Sequence, residues 1–225
     1  MTMPGSAASE QDRKSGRMSA AERRDLILEA ARAVFSRHGY EAARTQDIAR
    51  GAGISEALMY RHFRSKKALH TAVLRQIIAE QNSNYAQIGL HDLTPGGLVR
   101  NIHGYFTIAT GHGPDRIREG FHLLLSSVVG DQSFALQIYR RAQRMQVGRL
   151  HEVLRRAVAE GDIAAPLLDV ANTSMFVEHI GTMLNAMSGN GRKSPYGGTP
   201  EAIALDATRF VCRGLGFSDA AIERH

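Results

Sequence analysis

Near the start of the chain, apolar residues recur every three or four positions, which is the spacing of one face of an α-helix. Ser19 and Glu22, just before this stretch, have the spacing of a capping box, in which each side chain satisfies a free backbone N–H of the first helical turn. The pattern predicts a first helix that ends at Gly39 and packs on the elements after it. Its apolar face consists of Ile27, Ala30, Ala31, Val34 and Phe35.

Two shorter helices are predicted between Thr45 and Phe63. The Thr45 hydroxyl can accept from free N–H groups and cap the first of them. Gly53 stands where the chain must reverse within about four residues, and glycine enters the left-handed conformation without a Cβ penalty. The first short helix therefore ends in a tight turn. Its apolar stripe consists of Ile48, Ala49 and Ala52.

The second short helix has a buried and an outward-facing side. Ser55 can cap it, and Met59 and Phe63 are four residues apart, which gives a buried edge. Two short helices around a tight turn are typical of a helix-turn-helix, whose second helix enters the DNA major groove. The outward-facing side is formed by Glu56, Ala57, Tyr60 and Arg61.

The rest of the chain also has helical patterns, with no convincing alternation of a β-strand. We expect an all-α protein: a disordered basic leader over 1–18, a three-helix helix-turn-helix domain over 19–66, and a helical bundle over 67–225. Clusters of glycine and proline separate the later helices. These helices are predicted at about 65–88, 96–110, 115–129, 132–160, 167–188 and 200–214.

Positive charge is concentrated around the helix-turn-helix. Residues 1–67 contain thirteen Lys and Arg against eight Asp and Glu, a net charge of +5, whereas residues 68–225 contain fifteen against fourteen. Lys66 and Lys67 lie in the first turn of a long helix, where their charge opposes the helix macrodipole. Such a turn would hold a phosphate group firmly. The charge distribution therefore predicts a polyanion bound to the first domain.

Other classes of function have little support in the sequence. The ten histidines include no His-x-x-x-His pair, and there is no phosphate-binding glycine loop or nucleophile elbow. We therefore expect no metal, no cofactor and no enzymatic activity. Cys212, the single cysteine, has apolar neighbours and is expected to be packed in a helix. No membrane span or signal peptide is evident, so we expect a cytoplasmic protein.

The stretches AARAVFSRHGY, TQDIARGAGIS and LMYRHFRSKKAL, in this order, resemble the N-terminal domain of the tetracycline-repressor (TetR) family of transcriptional regulators. The resemblance covers about residues 22–70. It implies phosphate contacts from Thr45, Tyr60, His62 and Lys66. It also implies contacts at or near base edges from Gln46, Glu56, Ala57, Leu58 and Arg61. Two flanking residues, Arg44 and Ser55, are added to these. The expected DNA-binding residues are therefore Arg44, Thr45, Gln46, Ser55, Glu56, Ala57, Leu58, Tyr60, Arg61, His62 and Lys66.

Two positions of the second short helix depart from the family. Many members have a basic or neutral residue at the position of Glu56 and a small hydroxyl residue at that of Leu58. Glu56 could accept from a cytosine amino group, or it could equally be a solvated acid that disfavours DNA. The details of base recognition therefore cannot be carried over from the family.

The family also implies a homodimer and a ligand site in the second domain. We expect the dimer interface at about 167–188 and 200–214, although both helices could instead fill the core of a monomer. A small-molecule site needs apolar bulk with occasional polar groups, a description that also fits an ordinary core. The candidates are His103, Tyr105, Phe106, Phe121, His122, Leu125, Met145, Phe176, His179 and Met183.

The function expected from these features is ligand-responsive regulation of transcription. The resemblance implies a repressor that binds a palindromic operator in double-stranded DNA as a homodimer and is released by a small, largely apolar effector. The alternative is an architectural DNA-binding protein without an effector. That alternative accounts for the basic first domain but assigns no role to the long helical remainder.

Overall fold

A computed structural model describes residues 18–88, 91–112, 115–130, 132–164, 167–188 and 194–225. These residues are almost entirely helical, as the sequence predicted, and they form two compact units that divide between Val73 and Leu74. The predicted basic leader lies outside the described residues except for Met18. None of the described helices has both the length and the apolar character needed to cross a bilayer.

The first unit contains three helices and the start of a fourth. They are α1 (Ala20–Ala42), α2 (Thr45–Gly51), α3 (Glu56–His62) and α4 (Lys66–Ile88), and α4 continues into the second unit. The apolar faces predicted from the sequence form a buried core between these helices. Its fully or almost fully buried side chains include Ile27, Phe35, Ile48, Met59, Phe63 and Leu69.

Side chains cap the starts of three of these helices. Ser19 Oγ accepts from the Glu22 N–H at 3.1 Å, and the Glu22 carboxylate accepts from the Ser19 N–H at 2.7 Å, so the predicted capping box is confirmed. The hydroxyls of Ser55 and Ser65 each accept from the N–H three residues on, at 3.2 and 3.0 Å. These bonds fix where α1, α3 and α4 begin.

The cap predicted at Thr45 is wrong. Helix α2 begins at Thr45 itself, and Arg44 occupies the cap position without a side-chain cap bond. The Thr45 hydroxyl donates instead to the Glu56 carboxylate, because a charged acceptor brought close by α3 makes a stronger hydrogen bond than a neutral partner. Gly53 has the predicted left-handed conformation, with φ +66°. At Gly39, φ is +71°, which kinks α1 three residues before it ends.

Helices of the second unit lie close to the predicted ranges. They are α5 (Pro95–Thr107), α6 (Asp115–Val129), α7 (Ser133–Ala159), α8 (Val170–Met187) and α9 (Pro200–Gly214). A π-helical turn, Ile108–His112, follows α5 where one continuous helix was predicted. The short α10 (Asp219–Arg224) was not predicted from the sequence.

Helix α5 lies at the centre of the second unit and packs against α7, α9 and the π-helical turn. Phe106 of α5 and Cys212 of α9 are completely buried in this core. Burial raises the pKa of the Cys212 thiol to about 12, so the residue is packed as predicted. Other buried members of the core include Leu98, Ile102, Val153, Leu154, Leu184 and Val211.

The end of the chain is tied to the loop after α7. Asp162 is 2% exposed, and its carboxylate lies 3.0 Å from Arg224 Nη1 and 2.9 Å from His225 Nε2. A β-bridge between Ile163 and Phe217 lies beside these contacts. The contacts of Asp162 hold α10 in place. Because they join residues about sixty positions apart, local sequence patterns did not predict this helix.

Candidate DNA-binding and effector sites

The helix-turn-helix presents most of its predicted DNA-binding side chains to solvent. All belong to α2, α3, the start of α4 and the residues that flank them. The exposed members are Arg44, Gln46, Ser55, Ala57, Tyr60 and Arg61. The half-buried members are Thr45, Glu56, Leu58, His62 and Lys66.

A chain of hydrogen bonds links the two short helices on this side. The Thr45 hydroxyl donates to Glu56 Oε1 at 2.5 Å, and the Tyr60 hydroxyl donates to Thr45 Oγ1 at 3.5 Å. Thr45 begins α2, whereas Glu56 and Tyr60 lie on α3. The contact holds the carboxylate at the start of α3 in one place, beside the exposed side chains of that helix.

Lys66 is held at the start of α4. Its Nζ donates to the Glu41 carbonyl oxygen at 3.0 Å and lies 4.7 Å from the centre of the Tyr40 ring. Both contacts leave the ammonium charge unneutralised by a carboxylate, because a carbonyl oxygen and an aromatic face are uncharged partners. Lys67, the next residue, is exposed. The first turn of α4 therefore keeps the two positive charges that the sequence indicated.

In the second unit, the ten predicted ligand-binding residues are spread between interior and surface. Phe106 is buried, and the Tyr105 ring lies 5.5 Å from the Phe106 ring and 6.4 Å from that of Phe121, measured between centroids. The structure thus brings three of the predicted aromatic residues together. The other half-buried candidates are His122 and Leu125, and the exposed ones are His103, Met145, Phe176, His179 and Met183.

Three polar residues on α8 were not predicted from the sequence. Glu178, Thr182 and Asn185, here called the α8 polar row, are spaced four and three residues apart and so share one side of the helix. Thr182 and Asn185 are 3% and 2% exposed. Their helical spacing within an apolar helix is visible in the sequence, but the spacing does not show that they are buried.

Hydrogen bonding in the α8 polar row is incomplete among the described residues. Asn185 Nδ2 donates to the Ala109 carbonyl at 3.3 Å, but Asn185 Oδ1 and Thr182 Oγ1 are buried without a partner there. Such groups are rare inside proteins, because burial of an unpaired polar atom is costly. Two buried oxygens of this row therefore have no hydrogen bond among the described residues.

Glu178 of this row and the neighbouring Tyr139 have altered pKa values. The Tyr105 hydroxyl donates to Glu178 Oε2 at 3.2 Å. Burial raises the pKa of the Glu178 carboxyl, although the hydrogen bond from Tyr105 partly opposes the shift. Burial and the neighbouring Glu178 charge also raise the pKa of Tyr139. The polar groups thus lie in a poorly solvated part of the fold.

Residues 27–73 match the family model of bacterial regulatory proteins of the tetR family. This range includes most of α1, all of α2 and α3, and the start of α4, which form the helix-turn-helix described above. The N-terminal domain of the chain therefore belongs to the tetR family. The fold expected from the sequence, a helix-turn-helix domain followed by a helical bundle, is thereby confirmed.

Several TetR-family relatives match the N-terminal part of the chain. An HTH-type transcriptional activator, FasR of Mycolicibacterium smegmatis, is 43% identical over 65 residues, which cover 29% of this chain and 30% of FasR. An HTH-type transcriptional repressor, NicS of Pseudomonas putida, is 36% identical over 94 residues, or 41% of this chain and 44% of NicS. The chain thus spans less than half the length of these relatives, one an activator and one a repressor.

Solved structures extend the fold comparison to most of the chain. The ketosteroid transcriptional regulator KstR2 of Mycobacterium tuberculosis has a TM-score of 0.63 at 22% identity, and the match covers 90% of this chain and 98% of that one. AibR in complex with isovaleryl coenzyme A and operator DNA has a TM-score of 0.64 at 19% identity, covering 84% and 97%. At these identities the similarity establishes the TetR fold.

Proposed function

We propose that this TetR-family chain is a ligand-responsive regulator of transcription, with 19–66 binding DNA and 67–225 binding an effector and forming a homodimer. The observation that carries the proposal is the helix-turn-helix, which matches the family and presents exposed polar and basic side chains from α2 and α3. The localised net charge of +5 supports a polyanionic partner for the same residues. Repression of a palindromic operator is the mode we expect.

Contacts to DNA divide into two kinds in this proposal. Lys66 binds a phosphate, since its ammonium group is a donor at the start of α4 and carries no base information. Arg61 is exposed on α3 and reads a base edge, because the outer side of the second helix enters the major groove. His62 belongs to the first group, and Gln46, Ala57 and Leu58 to the second.

An effector bound beside the α8 polar row would satisfy its two unpartnered oxygens. Tyr105, Phe106 and Phe121 supply apolar surface close to this row, which suits a largely apolar molecule that carries a polar group. The complex of AibR with isovaleryl coenzyme A is an example of a similar fold that binds a small molecule and DNA. If the effector binds more tightly to the state of the protein that does not fit the operator, its binding would release the protein from DNA.

Exposed apolar side chains on α8 and α9 support a homodimer. Phe176 is 59% exposed and Phe210 is 70% exposed, and exposed large apolar groups are typical of an interface. Other exposed members on these two helices are Met183, Met187 and Leu205.

Sedimentation equilibrium tests the dimer. A Phe210→Glu variant would place a charge in the proposed interface, so we expect it to sediment as a monomer while the wild type sediments as a dimer. Val129 is 81% exposed at the end of α6, so Val129→Glu is a matched control that should remain dimeric. A monomeric wild type, or dimeric Phe210→Glu, would contradict the proposed interface.

In vitro selection of genomic fragments by the purified full chain tests DNA binding. We expect enrichment of sites with two half-sites and an affinity that falls steeply with salt. Lys66→Ala should weaken binding to all sequences similarly, whereas Arg61→Ala should change the preferred base at one position of each half-site. Binding without sequence preference would favour the architectural alternative, and no binding at low salt would refute DNA binding altogether.

A further inference from the structure

We propose that Glu56 determines base specificity, as a fixed hydrogen-bond acceptor that selects cytosine at one position of each half-site. This inference rests on the proposed DNA-binding function and adds to it which base one residue selects. From the sequence alone, Glu56 could equally have been a solvated acid that disfavours DNA. The contacts of its carboxylate in the folded chain distinguish these two interpretations.

The Glu56 carboxylate is held by one of its oxygens. Oε1 accepts from the Thr45 hydroxyl at 2.5 Å, and Thr45 Oγ1 in turn accepts from Tyr60 at 3.5 Å. The described residues provide no hydrogen-bond partner for Oε2. A solvated acid would have neither oxygen fixed. Here the side chain has lost its freedom before DNA binds, so less entropy remains to be lost on binding.

The chemistry of the free oxygen decides which base it selects. A carboxylate only accepts hydrogen bonds, and the donors in the major groove are the N4 amino group of cytosine and the N6 amino group of adenine. The adenine amino group lies beside the N7 acceptor, which favours an amide side chain over an acid. A single acceptor such as Glu56 therefore selects cytosine, and it repels the carbonyl oxygens of guanine and thymine.

The same charge acts against sequences that lack cytosine at this position. A carboxylate brought into the major groove without a donor opposite loses its hydration and lies among phosphates of the same sign. Arg44 is exposed on the same helix-turn-helix, and its charge attracts any DNA sequence equally through the backbone. Glu56 thus lowers affinity for most sequences and leaves it high where an amino group faces Oε2.

Selection from a randomised duplex library with the full chain tests this inference. The wild type should fix cytosine at one position of each half-site. Glu56→Gln keeps the size of the side chain but gives it a donor as well as an acceptor, so we expect adenine to replace cytosine there while the other positions stay unchanged. Measured by competition, the wild-type preference for cytosine over adenine should be about tenfold.

Three further variants separate the role of Glu56 from a general effect of charge. Asp25 is an exposed acid on α1, so Asp25→Asn removes one negative charge and should leave the selected sequence unchanged. Thr45→Val removes the donor that holds Oε1, and we expect a weaker cytosine preference without a change to adenine. Thr45→Ser retains a hydroxyl and should restore the preference. Melting curves establish that each variant is folded.

The possible outcomes separate this inference from the proposed function. If the wild type and Glu56→Gln select the same sequence, Glu56 does not read a base, yet the chain still binds DNA specifically. The same conclusion follows if cytosine is absent from the wild-type half-sites. If the folded wild type enriches no sequence at low salt, the proposed function itself fails, and the inference fails with it.

Discussion

The helix-turn-helix and the α8 polar row place polar side chains in opposite environments. On α2 and α3 the proposed DNA-binding groups are exposed or half-buried above an apolar core, and Glu56 is held by a partner on a neighbouring helix. On α8, Thr182 and Asn185 are buried and have oxygens without a partner among the described residues. A surface site can change with little effect on folding, whereas a buried polar site is expected to lower stability until a ligand binds.

The largest effect is expected at Gly181 of α8. A Cβ built there would lie 2.3 Å from the Tyr105 ring, and that ring is held by its hydrogen bond to Glu178. Gly181→Ala should lower the free energy of unfolding by about 1–3 kcal/mol, because the ring must move. A Cβ at Gly148 of α7 meets nothing within 4 Å, so Gly148→Ala should instead add about 0.5–1 kcal/mol.

Urea unfolding of the full chain, followed by circular dichroism, measures both glycine variants. An unchanged stability of Gly181→Ala would mean that Tyr105 moves freely. The interior beside α8 would then be loosely packed, and the α8 polar row would differ less from the helix-turn-helix surface in its tolerance of substitution.

A smaller effect is expected from two buried threonines that differ in hydrogen bonding. Thr182 Oγ1 has no partner among the described residues, whereas Thr208 Oγ1 donates to the Ala204 carbonyl at 2.7 Å. Thr182→Val should raise the free energy of unfolding by about 1 kcal/mol, and Thr208→Val should lower it by a similar amount. Chemical denaturation of both variants measures the difference. Equal losses would show that Thr182 is satisfied in solution and is not available to a ligand.

Glu178 should make stability depend on pH. Its pKa is raised in the folded chain by burial, so the folded state binds more protons than the unfolded state between the ordinary glutamate pKa, about 4.3, and the raised value. The contribution of Glu178 to stability therefore falls as pH rises through this window. Relative to wild type, Glu178→Gln should gain stability over the same range. If the difference in stability between Glu178→Gln and the wild type does not change with pH, the Glu178 carboxyl is in contact with water.

The smallest effect on stability is expected at the helix-turn-helix surface. Arg61 and Gln46 are exposed, so replacing either with alanine should change the free energy of unfolding by no more than about 0.5 kcal/mol. Thermal melts with and without DNA measure this, and the variants should differ from wild type mainly in the presence of DNA. A large loss of stability without DNA would remove the distinction between the surface site and the buried one.

Local patterns predicted the helix-turn-helix well because its determinants are close in sequence. The capping box of Ser19 and Glu22 and the left-handed Gly53 depend on residues within one turn of each other, and both are confirmed. The cap at Thr45 failed for the opposite reason. Its hydroxyl is bound by Glu56, eleven residues away, and the spacing of apolar residues does not predict such a contact.

The second unit was predicted less completely, although its helices were placed well. Helical spacing does not tell which apolar side faces the core, and of the adjacent residues Phe210 and Val211 the first is 70% exposed and the second is buried. The α8 polar row was missed because three polar residues in an apolar helix do not reveal whether they are solvated. Helix α10 is secured by contacts of Asp162 with Arg224 and His225, far apart in sequence.

The amino-acid sequence by itself determined the long helices, the caps at Ser19 and Ser55 and the family motif, because backbone hydrogen bonds and capping depend on neighbours within a turn or two. It also determined where positive charge accumulates. Only the tertiary structure decided which polar atoms have partners. Whether Glu56 is held by Thr45, and whether Thr182 and Asn185 are left without a partner, depends on which helices pack together, and that depends on burial summed over the whole chain.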